Sequence, residues 1–225
     1  MTNIVVLTGA GISAESGLST FRGPDGLWEG HRVQDVATPE GFAADPARVQ
    51  RFYNRLRRRL GEVQPNAAHH ALARLERAMG HKLHLVTQNI DDLHQRAGST
   101  HITAMHGELT KIRHVNTGEV LDWPHDVEET DQQWRPHVVW FGERTIGLDD
   151  VTKKLSKADI FVAIGTSGTV YPANQFALIA KSARAITIEI NLEPSDGPFD
   201  QVWAGSATQE VPPFVDYLID EVLQK

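Results

Sequence analysis

A histidine followed by a glycine, His106-Gly107, ends a short apolar run from Ile102 to Met105. An imidazole at a strand end can take up a proton near neutral pH, because its reference pKa is ~6.5. The chain has eleven histidines, so this one gains meaning only from its company. A second group, Gln88-Asn89-Ile90-Asp91, follows the run His84-Leu85-Val86-Thr87. Asn89 offers donors and an acceptor suited to a sugar or a carboxamide, and Asp91 can accept from an amide nitrogen. Capping of a following helix by Asn89 or Asp91 explains the same residues on composition alone. A third group, Gly9-Ala10-Gly11-Ile12-Ser13-Ala14, follows Ile4-Val5-Val6-Leu7. In the pattern G-x-G-x-x-G/A, Gly9 permits a tight turn and Gly11 lets the backbone approach a pyrophosphate. Ala14 supplies the small residue for helix–strand packing.

These groups need strands that end together. Four runs qualify: 4–7, 84–87, 160–164 leading into Gly165-Thr166-Ser167, and 185–190 leading into Asn191-Leu192-Glu193. All are nearly continuous and rich in β-branched residues, as expected of parallel strands covered on both faces. Ligands of an open parallel sheet sit outside the carboxyl ends of its strands. The fold class is therefore α/β, with a Rossmann-like parallel sheet. Helices are predicted over 49–60, 65–79 and 211–224, the last with Pro212 and Pro213 in its first turn. Residues 112–137, with Gly118, Pro124 and Pro136, read as a small β-rich or loop excursion. The boundaries give a Rossmann-like lobe of 1–30, 81–111 and 138–225, a helical insertion over 31–80, and a reduced small module over 112–137. Within the glycine-rich loop between Glu15 and Trp28, Phe21 and Arg22 are suited to cover an aromatic ring and a phosphate; a plain surface loop is the alternative.

The chain has 225 residues and a formal net charge of -7, which excludes a nucleic-acid partner held by overall charge. It has no cysteine, which excludes disulfides and thiolate zinc sites. No run approaches the ~20 apolar residues of a membrane span. No basic region with a long apolar run precedes the first strand, so the expectation is a cytoplasmic protein without a membrane partner.

In order, Gly9-Ala10-Gly11-Ile12-Ser13 with Phe21-Arg22-Gly23, Thr87-Gln88-Asn89-Ile90-Asp91, His106-Gly107, Gly165-Thr166-Ser167 and Asn191-Leu192-Glu193 resemble the motifs of the sirtuins. Sirtuins are NAD-dependent protein lysine deacylases. The resemblance spans nearly the whole chain and is strongest to the bacterial and mitochondrial desuccinylase-like types. It implies NAD lying across the carboxyl edge of the sheet. Gly9, Ala10 and Gly11 would meet the pyrophosphate, and Phe21 and Arg22 would belong to a loop closing over nicotinamide. Gln88, Asn89, Ile90 and Asp91 would form the nicotinamide and ribose pocket, with Asn89 and Asp91 tied to catalysis. His106 would be the catalytic base. Gly165, Thr166 and Ser167 would hold phosphate and ribose, Asn191 and Glu193 the adenosine ribose, and Ala207 the adenine.

The implied reaction transfers an acyl group from lysine to ADP-ribose. The acyl oxygen displaces nicotinamide at the anomeric carbon. His106 then deprotonates a ribose hydroxyl that attacks the resulting imidate, and hydrolysis gives lysine and O-acyl-ADP-ribose. NAD is consumed as a cosubstrate. The implied partner is an acyl-lysine protein or peptide, clamped as an added strand by Val138-Val139-Trp140-Phe141-Gly142 and Gly168-Thr169-Val170-Tyr171. Val139 and Phe141 would touch the acyl-lysine, with Gly142 and Val170 beside them; core packing is the alternative for Val139 and Phe141.

The chain departs from that pattern twice. Most relatives hold a structural zinc with four cysteines, and here His114 stands where the first is expected. His114, Asp122, His125 and His137 lack the close paired spacing of a metal site, so no metal is expected, and packing by Trp123 and Trp134 is expected to hold the module. Desuccinylase-like members have Tyr-x-x-Arg lining the acyl pocket. Here Tyr53 is followed three residues on by Leu56, with Arg57 at i+4. Deacetylation is the expected activity, and desuccinylation through Tyr53 and Arg57 stays open. The alternatives are protein mono-ADP-ribosyl transfer and a non-catalytic NAD-sensing module. A hydride-transferring dehydrogenase is disfavoured, because no clear acidic residue ends a second strand.

Overall fold

The computed structural model describes residues 2–20 and 27–222; the Phe21 and Arg22 expectation lies outside them. Strand β1 (Ile4–Thr8) turns into a single helical turn, α1 (Gly11–Ala14), and a short ribbon follows, β2 (Leu27–Trp28) with β3 (His31–Arg32). Then come α2 (Val33–Val36), α3 (Pro39–Ala44), α4 (Pro46–Glu62) and α5 (Ala67–Met79). The chain continues through β4 (Leu83–Thr87), α6 (Leu93–Ala97) and β5 (Ile102–Ala104) into β6 (Gly107–His114), β7 (Val120–Asp122) and β8 (Trp134–Val138). It closes with α7 (Leu148–Leu155), β9 (Ile160–Ile164), α8 (Phe176–Ser182), β10 (Ile186–Asn191), β11 (Gln201–Ala204) and α9 (Ala207–Tyr217).

Six of these strands form a parallel sheet in the order β11-β10-β9-β1-β4-β5. The order reverses at β1, which makes the β1/β9 boundary the switch point where such sheets open a crevice. Alternate β1 residues face opposite layers. Ile4 and Val6 pack with Leu72 and Leu75 of α5 and Val211 and Phe214 of α9. Val5 and Leu7 pack with Val151 and Leu155 of α7 and Phe176 and Ala180 of α8. Covering both faces is why these strands are uniformly apolar. Strands β7-β6-β8 form a separate antiparallel sheet.

The Rossmann-like reading holds, with local corrections. Ala14 is exposed, and Ile12 and Ser13 are the inward-facing residues of α1. Helix α9 starts at Ala207, so Pro212 and Pro213 lie inside it. The earlier start follows from Ser206, whose carbonyl accepts from the N–H groups of Gln209 and Glu210. Helix α5, counted by sequence with the helical insertion, lies against the sheet. Trp123 is 38% exposed, so it does not pack the small module as expected; Ile112, Val127, Arg135 and Pro136 are the buried residues there.

Candidate active site

Three turns meet at the switch point. Gly9 N–H donates to Ile164 O at 3.0 Å, and Gly11 N–H donates to Gly165 O at 2.8 Å. Side chains would prevent this approach: a Cβ on Gly11 would stand 2.7 Å from Gly165 Cα, and one on Gly165, whose φ is +58°, 2.6 Å from Ile12 N. The glycines that sequence assigns to a cosubstrate are thus also required by one another. Gln88 Nε2 donates to Thr166 Oγ1 at 2.9 Å, and Asn191 Nδ2 donates to Thr166 O at 2.9 Å. The ends of β4, β9 and β10 are therefore tied through one threonine. Ser167 is exposed, as is Glu193. A cavity of about 240 Å³ opens beside Thr166, Ser167 and Gly168, over Leu7, Phe161 and Ala163; His106, Asn89 and Asp91 do not line it.

Behind the turns lies a buried polar network. Asn89 Nδ2 donates to Gly9 O at 3.1 Å and Ser13 Oγ at 3.2 Å. Ser13 Oγ donates to Asp91 Oδ2 at 2.9 Å, and Asp91 Oδ1 accepts from Leu93 N–H at 3.1 Å. Burial pushes the Asp91 carboxyl up, against the opposing pull of those bonds. Ile90 packs beside the apolar cluster of α4. Sequence reasoning missed Ser13, His69 and His94 as parts of this network. His94 Nε2 lies 3.0 Å from Thr8 Oγ1, and the His69 and His94 rings are 4.9 Å apart. Burial lowers their pKa values to about 4 and about 3. The spacing of apolar residues on α5 offered the one available signal, since it turns His69 inward with Leu72.

His106 lies where β5 gives way to β6. Its Nδ1 is 2.9 Å from Gln88 O. A carbonyl can only accept, so Nδ1 carries the proton and Nε2 keeps its lone pair, as a base requires. Burial lowers the His106 pKa, and the bond to Gln88 partly opposes this. Val139 N–H donates to His106 O at 2.8 Å, which brings that expected peptide segment beside the base. Phe141 is 37% exposed, Gly142 is exposed with φ +88°, and Val170 is half-buried. The 138–143 turn is fixed by residues the sequence did not single out. Arg135 donates to Glu143 at 2.7 Å and to Val138 O at 2.8 Å, its guanidinium 3.3 Å over the Trp140 ring.

Tyr53 and Arg57 do not join the described site surface. Tyr53 is fully buried, and its Oη accepts from Trp140 Nε1 at 2.9 Å. Arg57 is 5% exposed; its Nε donates to Leu109 O and its Nη1 to Asn54 Oδ1, while Nη2 has no hydrogen-bond partner among the described residues. The bonds to Leu109 O and Asn54 are what turn Arg57 inward from the face it shares with Tyr53. At the switch end, Ala207 is buried at the start of α9. Next to it, Glu15 at the end of α1 accepts from Thr208 N–H at 2.9 Å and Thr208 Oγ1 at 2.5 Å.

The residues of the small module do not fit a zinc ion. The chain has no thiolate, and among the described residues no three His, Cys, Asp or Glu side chains are grouped to hold a metal. His114 Nδ1 accepts from the N–H groups of Asn116 and Thr117, and the His125 ring rests against Trp123. Among the described residues no helix is long and apolar enough to cross a membrane.

A family model for the Sir2 family matches residues 9–172. The chain is 56% identical to the NAD-dependent protein deacylase of Shigella flexneri over 229 residues, covering 96% of this chain and 84% of that protein. It is similar to the solved complex of a Sir2 homologue with NAD, at a TM-score of 0.86 and 38% identity, covering 96% of this chain and 89% of that one. A Sir2 complex with a p53 peptide and NAD+ superposes at a TM-score of 0.78 with 28% identity, covering 99% and 94%. With this identity and coverage, the chain belongs to the Sir2 family.

Proposed function

We propose that this chain is an NAD-dependent protein lysine deacylase that prefers a neutral acyl group such as acetyl. The observation that carries the reading is the His106 tautomer: Nδ1–H is committed to Gln88 O, which leaves Nε2 as a base at the carboxyl edge of the sheet. The residues fit NAD at the switch-point crevice, with Gly9, Ala10, Gly11, Gly165, Thr166, Ser167, Asn191, Glu193 and Ala207 toward its ADP-ribose. Gln88, Asn89, Ile90 and Asp91 would line the nicotinamide end. When bound, NAD supplies an anomeric carbon with a departing pyridine. Asn89 and Asp91, pinned through Ser13, orient that end, and His106 Nε2 takes the proton of a ribose hydroxyl. Val139, Phe141, Gly142 and Val170 grip the acyl-lysine segment as an added strand.

The acyl preference follows from α4. Tyr53 Oη is occupied by Trp140, and Arg57 is sealed from solvent. Leu56 packs against the apolar cluster of Phe52, Tyr53 and Trp140. A substrate carboxylate would meet apolar surface there, which is costly without a paired cation. The test is mass spectrometry of the chain with NAD and matched acetyl-lysine and succinyl-lysine peptides. O-acetyl-ADP-ribose and nicotinamide, formed faster from the acetyl peptide, are expected. Succinyl turnover at least as fast would overturn the acyl preference. NAD binding with no product from either peptide would favour an NAD-sensing module, and ADP-ribose attached to protein would favour transfer.

A further inference from the structure

The misfit between the small module and a zinc ion raises the question of what closes the module instead. One face of α4 is given over to the 126–134 segment. Asn54 Nδ2 donates to Val127 O at 2.7 Å, and Asn54 Oδ1 accepts from Val127 N–H at 2.9 Å. This two-point amide grip copies a strand-to-strand pairing, and Arg57 Nη1 steadies the same oxygen at 2.8 Å. One turn earlier, Gln50 Nε2 donates to Trp134 O at 2.7 Å and Asp131 O at 3.2 Å. Trp134 is the first residue of β8, so Gln50 sets where that strand begins. Gln50, Asn54 and Val127 are all buried. Arg51 with Glu129 and Arg58 with Asp126 flank them as exposed ion pairs.

We infer that the module is closed by this side-chain clasp on α4 and by no metal, and that Asn54 is a positioning residue for the peptide strand that β8 feeds. Residues 50, 51, 54, 57 and 58 share one helical face, the spacing needed to hold one extended segment along its length. The segment leads through β8 to Val139, whose N–H bonds His106 O. The clasp thereby aligns the proposed peptide edge with the base. The peptide part rests on the deacylase reading. The metal and unfolding measurements do not, so the two can fail separately.

The test uses the full chain. Elemental analysis is expected to find zinc far below one atom per chain, and EDTA is expected to leave the unfolding midpoint unchanged. Asn54→Ala is expected to lower that midpoint and raise the peptide KM about ten-fold, with kcat and the NAD KM within about two-fold of the parent. Stoichiometric zinc whose removal unfolds the module overturns the proposal. An Asn54→Ala enzyme with the parent's peptide KM overturns the positioning role. If Asn54→Ala does not fold, amide exchange on the parent decides: protection of Val127 N–H comparable to β8 supports the clasp, and exchange at the rate of an open loop sinks it.

Discussion

The switch-point crevice and the small module are held by opposite means. In the crevice, main chain meets main chain: Gly9, Gly11 and Gly165 touch without side chains between them, and Gln88 O fixes the tautomer of His106. In the module, side chains of α4 reach out to the backbone of a segment that is otherwise largely exposed. The first region is over-determined, so its geometry survives most surface changes. The second depends on a few hydrogen bonds, each of modest net worth. The groups proposed to react thus sit on the rigid part of the molecule, and the strand proposed to grip the peptide is attached to the part more easily shifted.

The largest expected effect comes from removing the base without disturbing its surroundings. His106→Ala is expected to lower kcat/KM roughly 10²–10⁴-fold with an unchanged unfolding midpoint. A comparable fall in stability would mean that His106 acts mainly as packing. Gly165→Ala breaks the main-chain contact itself. The added carbon meets Ile12 N and Gly11 Cα at a positive φ, and denaturant unfolding is expected to register a loss of about 3 kcal/mol. A near-neutral result would show the crevice to be as forgiving as the module.

Acid probes the buried network. His69 and His94 titrate near 4 and 3 when folded, below the ~6.5 of an unfolded histidine. The unfolded chain therefore binds protons that the folded one refuses. The stability these two residues contribute is complete above about pH 6.5 and drains away as pH falls toward their folded values. By pH 5 each is expected to cost about 2 kcal/mol, seen as a falling unfolding midpoint that His94→Gln flattens. A midpoint independent of pH between 7 and 5 would contradict the burial of both rings. The smallest effect is expected at Glu15, which clips α1 to the start of α9. Glu15→Gln weakens the grip on Thr208 and is expected to raise the NAD KM about three-fold while leaving kcat and the peptide KM alone.

The same contrast explains what could be read in advance. Strands β1, β4, β9 and β10 were legible because burial on both faces writes a continuous apolar run, and their polar ends marked the crevice. Helix α9 was shifted because two prolines resemble a helix start, although the cap is set by Ser206 and Glu15, a residue 193 positions away from Thr208. Ala14 matched a nucleotide-binding spacing but turned outward, since a single helical turn leaves little to pack against. Ser13 and His94 were invisible because their partners, Asn89 and Asp91 for one and Thr8 for the other, are distant in sequence, and only the apolar spacing of α5 hinted at His69. The placement of Arg57 was illegible for the same reason: it is decided by Leu109 O, a long-range acceptor.

Gln88 joins the two ends of the crevice by two different parts of itself. Its peptide oxygen holds His106, and its side-chain amide holds Thr166. Any amino acid at this position would present the first, but the second needs a side-chain donor long enough to reach Thr166. The tautomer of His106, the proposed base, is thereby sheltered from mutation at 88, while the turn proposed to hold the cosubstrate remains open to adjustment there, so on that reading an evolving lineage can retune affinity without gambling its chemistry.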